Sequence, residues 1–246
     1  AISTGCLDLL SDEEQLGEIT LSPTVWQFVV SDAHVPILMG PRREGKTCGG
    51  VARLLRVASV NPGAQPLKVV VIRDTWVNLQ RTVLETLLEG QSRGWWDAEF
   101  HEGGSEVILN GGVAKLWCIG MDRPQDANKL QGLGAGLGWI EEPAPAADLS
   151  SGVPVDVFGL LWSSLSQSGF PRSLQLTLNP PDADFWTQKL ETGENLTVER
   201  FWIPPGENRH LPVGFREQMR EALIQSGRGD LVARLVLVLR ALPGVA

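Results

Sequence analysis

The stretch GPRREGKT, Gly40 to Thr47, has the spacing G-x-x-x-x-G-K-[ST]. Its two glycines let the chain curl so that backbone N–H groups point inward at phosphate oxygens. At this spacing the Lys46 ammonium reaches the β- and γ-phosphates of a nucleotide, and the Thr47 hydroxyl ligates Mg²⁺. The phosphate-contacting residues are therefore Gly40, Pro41, Glu44, Gly45, Lys46, Thr47 and Cys48, and ATP and Mg²⁺ are the expected cofactors. Arg42 and Arg43 lie inside the same loop. A cation there can neutralise a phosphoryl group in transfer, or it can simply face solvent.

A phosphate cradle does not hydrolyse anything by itself. Hydrolysis needs a carboxylate at the metal and a second one to orient or deprotonate water. Glu141 and Glu142 directly follow the apolar run Leu137–Ile140, which reads as a short strand. Adjacent residues at a strand end point different ways, so Glu141 can face the metal and Glu142 the water; the alternative is a solvated acidic loop opened by Pro143. Asn179 ends another apolar run, SLQLTLN, where it would lie near a γ-phosphate, or merely start a turn with Pro180. Gln27 precedes the loop by thirteen residues. Its amide can both donate to and accept from an adenine edge, or sit unused on a surface helix.

These residues need elements to hold them. VPILMG before the loop reads as a buried strand, and Cys48, Val51, Leu54, Leu55 and Ala58 after it fall at helical spacing. PTVWQFVV has a helix start and an apolar face. LKVVVIRDT is a second buried strand, and Trp76, Leu79, Val83 and Leu87 form a helical stripe behind it. EVILNGGVAKLWCIG reads as a hairpin turning at Asn110-Gly111-Gly112. DVFGLLWSSLSQSG is a helix ended by Gly169, DFWTQKLE a short helix, and LTVERFWIPP another strand. This alternation predicts an α/β fold with a mostly parallel sheet flanked by helices and a hairpin insertion. A Pro/Gly-rich connector then leads to a helix over GFREQMREALIQSG, with Phe215, Met219 and Leu223 on one face, and to an apolar tail. A boundary near residue 206 divides a core over 1–205 from a small C-terminal helical subdomain over 206–246.

Bulk properties narrow the class. A length of 246 residues with 43% hydrophobic residues suits one large domain or one domain with an appendage. A net charge of −8 argues against coating nucleic acid with the whole surface, though not against a local basic patch. Cys6, Cys48 and Cys118 lack metal-ligand spacing and suggest a reducing compartment. The absence of a signal peptide or a long apolar run predicts an intracellular chain with no membrane partner.

Taken in order, these pieces resemble the ATPase domain of a tailed-phage terminase large subunit, the DNA-packaging motor. The matching residues are Trp26-Gln27, the Arg-bearing loop GPRREGKT, VVIRDTW, GWIEE, TLNPP and ENRHLPVGF, spread over about residues 23–240. The resemblance implies an additional-strand, catalytic-glutamate P-loop fold with a small subdomain over the nucleotide. It implies double-stranded DNA, a portal on a procapsid and a terminase small subunit as partners, in the host cytoplasm. It also implies a ring, commonly of five subunits, and a nuclease domain beyond Ala246; a cation supplied across that ring would make activity depend on assembly, with the isolated chain a monomer. Two departures stand out. Glu141 replaces the usual Asp. Gln131-Gly132 stands where an Arg-Gly pair often reaches into a neighbour's site, leaving Arg123 and Lys129, or Arg42 and Arg43 in cis, to supply that cation. Lys115, Arg123 and Lys129 are candidates to touch DNA. A helicase, a partition ATPase or a nucleotide-gated scaffold with little turnover are the competing functions.

Overall fold

The structure, a computed structural model, describes residues 18–144, 152–232 and 235–236. The acidic lead-in up to residue 17, Cys6 with it, and the apolar tail beyond residue 236 lie outside the described residues. The strands are β1 (Val35–Met39), β2 (Leu67–Arg73), β3 (Ala98–His101), β4 (Glu106–Leu109), β5 (Ala114–Gly120), β6 (Leu137–Glu141), β7 (Ser173–Leu178) and β8 (Val198–Trp202). They form one sheet in the order β3-β4-β5-β2-β6-β7-β1-β8. From β5 to β8 every pairing is parallel, whereas β3, β4 and β5 pair antiparallel at one edge.

Strand β2 shows how the sequence writes a two-sided sheet. Leu67, Val69 and Val71 pack toward α2 (Lys46–Ser59) and α4 (Glu85–Ser92). Val70 and Ile72, half a pleat away, pack toward α5 (Val155–Ser164) on the other face. Period two with both faces apolar is what a strand covered by helices on each side requires. Strand β1 does the same, with Leu38 under α1 (Pro23–Val30) and Ile37 and Met39 opposite. The turn at Asn110-Gly111-Gly112 takes positive φ at all three residues, as the tight connection between β4 and β5 needs.

The structure departs from the sequence pattern at several elements. The sequence pattern does not announce β3: AEFH is four residues long with only its first side chain buried, too brief to show alternation. The helix predicted over 156–169 ends at Ser164 because Leu165 turns extended and pairs with Ala135, and Ser166 and Gln167 both donate to the Ala135 carbonyl. The stripe Trp76–Leu87 is helical, but it runs from α3 (Trp76–Leu79) through a π-helical turn (Gln80–Leu84) into α4. The short helix over DFWTQKLE is a 3₁₀ turn, Trp186–Lys189. Beyond residue 206, α6 (Phe215–Gln225) brings Met219 and Leu223 against Val232, Leu235 and Val236, a small cluster apart from the sheet core.

Helix α2 must lie close to the sheet, and Gly50 permits it. A Cβ there would stand 2.3 Å from Trp139 Cζ2. Alanine at a helical glycine normally gains about 1 kcal/mol, but overpacking a core costs about 1–3 kcal/mol. Gly50→Ala should therefore lower the urea midpoint. Gly159→Ala in α5, where a Cβ meets nothing within 4 Å, should raise it. Equal shifts in the two variants would refute the close approach of Trp139 as the reason for Gly50.

Candidate functional site

The loop between β1 and α2 is built on two glycines with different duties. Gly45 has φ 81° and caps α2 in the left-handed region. Gly40 keeps room for Ile203, whose Cβ would lie 2.8 Å from an added Cβ. Arg43 also has positive φ, at 66°, so the loop bends tightly around its centre. The N-terminus of α2, with its free N–H groups and positive dipole end, faces the interior of this loop.

Lys46 is 6% exposed, and its ammonium donates to the carbonyls of Gly40 (3.1 Å) and Pro41 (2.7 Å) and to Asn179 Oδ1 (2.9 Å). Glu142 Oε1 stands 4.0 Å away. Burial pushes the Lys46 ammonium below its ordinary range, Glu142, Glu141 and Glu44 oppose that shift, and Arg42 adds to it. The Thr47 hydroxyl donates to Glu141 Oε1 at 2.6 Å. Glu141 is 2% exposed, and its other oxygen accepts a short hydrogen bond from Thr177, whose oxygen in turn accepts from Trp139 Nε1 at 2.7 Å. Asn179 N–H donates to Glu142 Oε2 at 3.0 Å, and Glu142 itself takes φ 46°. A non-glycine residue held in the left-handed region stores strain that its surroundings must sustain.

Strand order explains why these residues meet. β7 lies between β1 and β6, so Asn179 at its end falls between Lys46 and the glutamate pair. One residue escaped sequence reasoning. Arg73, at the end of β2, places Nη1 3.9 Å from Glu141 Oε1 and donates to Thr82 Oγ1 at 3.1 Å. Its position at the carboxyl end of a strand beside the glutamate strand was the available signal. Thr82 sits in the π-helical turn, so that irregularity touches the site through Arg73.

Glu44 departs from the expected role. Its side chain is 1% exposed and is turned away from the loop. It accepts from the backbone N–H groups of Gly206 (3.1 Å) and Asn208 (2.8 Å) and from Arg216 through Nε (3.1 Å) and Nη2 (2.5 Å). Asn208 Nδ2 donates to the Arg43 carbonyl at 2.6 Å, and Glu207 accepts from Ser22 and Thr24 at the start of α1. The connector predicted near residue 206 is thus tied to the loop and to α1 together.

The remaining candidates are spread more widely. Gln27 is exposed on α1 and its side chain has no hydrogen-bond partner among the described residues, while Val25, Phe28 and Val29 of that helix are buried. Arg42 and Arg43 are exposed, and Cys48 is half-buried. Arg123 and Lys129 both lean on Asp126, at 3.7 and 2.9 Å, and Gln131 is exposed beyond them. Lys115 pairs with Glu106 at 2.8 Å.

The donor set suits a magnesium nucleotide. Mg²⁺ takes hard oxygens, usually one or two from protein and the rest from phosphate and water. Thr47 and Glu141 supply such a pair. Among the described residues no group of three or more His, Cys, Asp or Glu side chains could form a closed metal site. The described helices also include none long and apolar enough to cross a membrane.

No protein-family model matches the sequence. No curated protein matches it either. Solved structures do. The large terminase of a thermophilic bacteriophage superimposes with a TM-score of 0.67 at 17% identity, over 89% of this chain and 53% of that one. The HK97 bacteriophage large terminase gives 0.57 at 14%, over 91% and 51%. The Thermus phage P74-26 large terminase ATPase domain gives 0.55 at 14%, over 87% and 91%. The chain spans about half the length of the first two of these proteins. The first has been solved with ATP-gamma-S and with ADP. The fold is thus that of large-terminase ATPase domains, a P-loop fold with an additional strand between the loop strand and the glutamate strand.

Burial and the charge of Glu142 raise the Glu141 carboxyl above its ordinary 4.5, against Arg73 and the two hydroxyl hydrogen bonds. A carboxyl raised on folding favours the folded state least once ionised. Its contribution is therefore lost as pH rises from the unfolded value through the folded one. Glu141→Gln should stabilise the nucleotide-free protein at pH 8 and lose that advantage toward pH 4. Denaturation midpoints of parent and variant across this range check it, and a pH-independent difference would contradict it.

Proposed function

We propose that this chain is the ATP-hydrolysing motor domain of a viral DNA-packaging terminase, moving double-stranded DNA into a procapsid. The observation that carries the reading is the convergence of Lys46, Thr47, Glu141, Glu142 and Asn179 from three strand ends onto one loop. The likeness in fold to terminase ATPase domains supports the polymer and the partners: a portal, a small subunit and neighbouring copies in a ring.

When bound, ATP with Mg²⁺ supplies the phosphoanhydride to be cleaved and a cation that draws charge from its oxygens. Thr47 and Glu141 would hold the metal. Lys46 would exchange its contact with Asn179 Oδ1 for phosphate oxygens, so that the buried ammonium stays partnered. Glu142 is oriented by the Asn179 backbone N–H at Oε2, leaving Oε1 to take the proton of the attacking water. Arg42 or Arg43, both exposed in the same loop, serves as the cation in cis. Arg123 and Lys129, drawn to Asp126, would have to leave it to act across a ring. Asn179 contacts Lys46 by its side chain and Glu142 by its backbone, so occupancy of the γ-phosphate position alters both contacts. Glu44 carries changes in the loop to the unit beyond residue 206, which closes over the nucleotide. Gln27 reads the adenine edge.

Lys46→Ala should abolish nucleotide binding. Glu142→Gln should bind normally and lose turnover by about 10² or more, the scale on which acid–base groups contribute. Nucleotide titration beside single-turnover hydrolysis separates the two, and parent-like hydrolysis by Glu142→Gln would sink the assignment. Asn179→Ala keeps the backbone N–H that orients Glu142. It should therefore hold ATP affinity within about threefold, yet uncouple hydrolysis from DNA translocation. A packaging assay beside the titration checks this, and proportional loss of both would leave Asn179 as a turn residue.

A further inference from the structure

Away from the nucleotide loop, at the amino ends of β1 and β7, three arginines share one cavity of about 300 Å³: Arg53, Arg56 and Arg172. A second, more open hollow of about 490 Å³ shares His34 and Arg172 with it. This gathering of cations needs a reason in a chain of net charge −8. None of the three arginines forms an ion pair with a described residue. Asp32, exposed at the rim, is the cavity's one acidic side chain among the described residues. The carboxyl ends of α1 and α2 also point here, each worth about half a negative charge. Together these leave roughly one positive charge unbalanced.

The hydrogen-bonding groups of these arginines are only partly used. Arg53 is 2% exposed and donates through Nη1 to Gln175 and through Nη2 to the Ser31 carbonyl and Ser173, but its Nε has no partner. Burial pushes this guanidinium down to about 10, Asp32 opposes that shift and Arg56 adds to it. Arg56 is half-buried, and its side chain has no hydrogen-bond partner among the described residues. Arg172 lies over the Trp162 ring, 4.8 Å from its centroid, and donates one bond to the Trp162 carbonyl at 2.6 Å. A guanidinium has five N–H donors, so most of those of Arg56 and Arg172 remain to be used. Guanidinium pairs match the geometry of a tetrahedral oxyanion and hold it by parallel, charge-assisted bonds.

We propose that this cavity is a binding site for a phosphate group, either a phosphate monoester or a phosphate of a nucleic-acid backbone, held by Arg56 and Arg172 with the buried charge of Arg53 behind them. The site is separate from the nucleotide loop and does not rest on the motor reading. Its test is run in a Lys46→Ala background, so that the loop itself cannot take the anion. Inorganic phosphate is titrated calorimetrically into the full chain, and a short duplex DNA is titrated by fluorescence anisotropy over a range of salt. Arg56→Gln and Arg172→Gln, both at accessible positions that leave Arg53 in place, should each weaken phosphate binding about tenfold. If the natural source is the DNA backbone, each variant also weakens the duplex and lowers the slope of log affinity against log salt by about one. If it is a free monoester, duplex binding keeps its slope while phosphate binding falls. The proposal is overturned if the Lys46→Ala protein binds no phosphate, or if both variants bind it as tightly as their parent. The arginines would then serve only to neutralise two helix ends. ATP turnover measured for Arg56→Gln with Lys46 intact keeps this outcome distinct from any failure of the motor assignment.

Discussion

A buried ammonium has to be surrounded by acceptors, and the site grows from meeting that demand at Lys46. Leaving such a charge unpaired out of water would cost several kcal/mol, enough to rival the net stability of a domain. The Gly40 and Pro41 carbonyls and Asn179 Oδ1 meet it here, with Glu142 close behind. The three bonded acceptors are neutral, so the lysine is held without collapsing onto a tight ion pair. The 4.0 Å separation from Glu142 fits this balance: close enough to support the charge, too long for a strong bond.

The acidic side of the site is balanced in a similar way. Two adjacent glutamates repel, and Glu141 is nearly out of solvent. Hydroxyls of Thr47 and Thr177 and the nearby guanidinium of Arg73 make its charge tolerable. Trp139 closes the chain of contacts by donating to Thr177 while filling the space that Gly50 leaves in α2. Packing and chemistry therefore share residues, and a loss of close contact between helix and sheet would disturb the carboxylate as well.

Glu44 joins this site to the rest of the chain. It sits in the loop between β1 and α2, yet its carboxylate is given over to Gly206, Asn208 and Arg216. A fully buried charge with four donors is stiff, so displacement of the loop is passed to the connector rather than absorbed. The same connector holds α1 through Glu207, so the helix carrying Gln27 and the loop carrying Lys46 cannot shift independently.

Local order along the chain was legible in the sequence because it depends on neighbours a few residues apart. The strand VPILM, the bend at Gly45 and the amphipathic α2 follow from apolar spacing and from glycine's tolerance of positive φ. The β4–β5 turn at Asn110-Gly111-Gly112 follows from the same tolerance, and Glu141 and Glu142 were identifiable at a strand end. Tertiary structure alone decided which strand ends became neighbours. Lys46 and Asn179 are 133 residues apart, and their contact exists because β7 inserts beside β1, which no periodicity encodes. The same holds for Arg73 beside Glu141, for Glu44 turned to Arg216 across 172 residues, and for α5 cut short at Ser164 by Ala135. Hydrophobic period says which face of a strand is buried and is silent on which strand lies next to it. That choice is made by packing summed over the whole sheet.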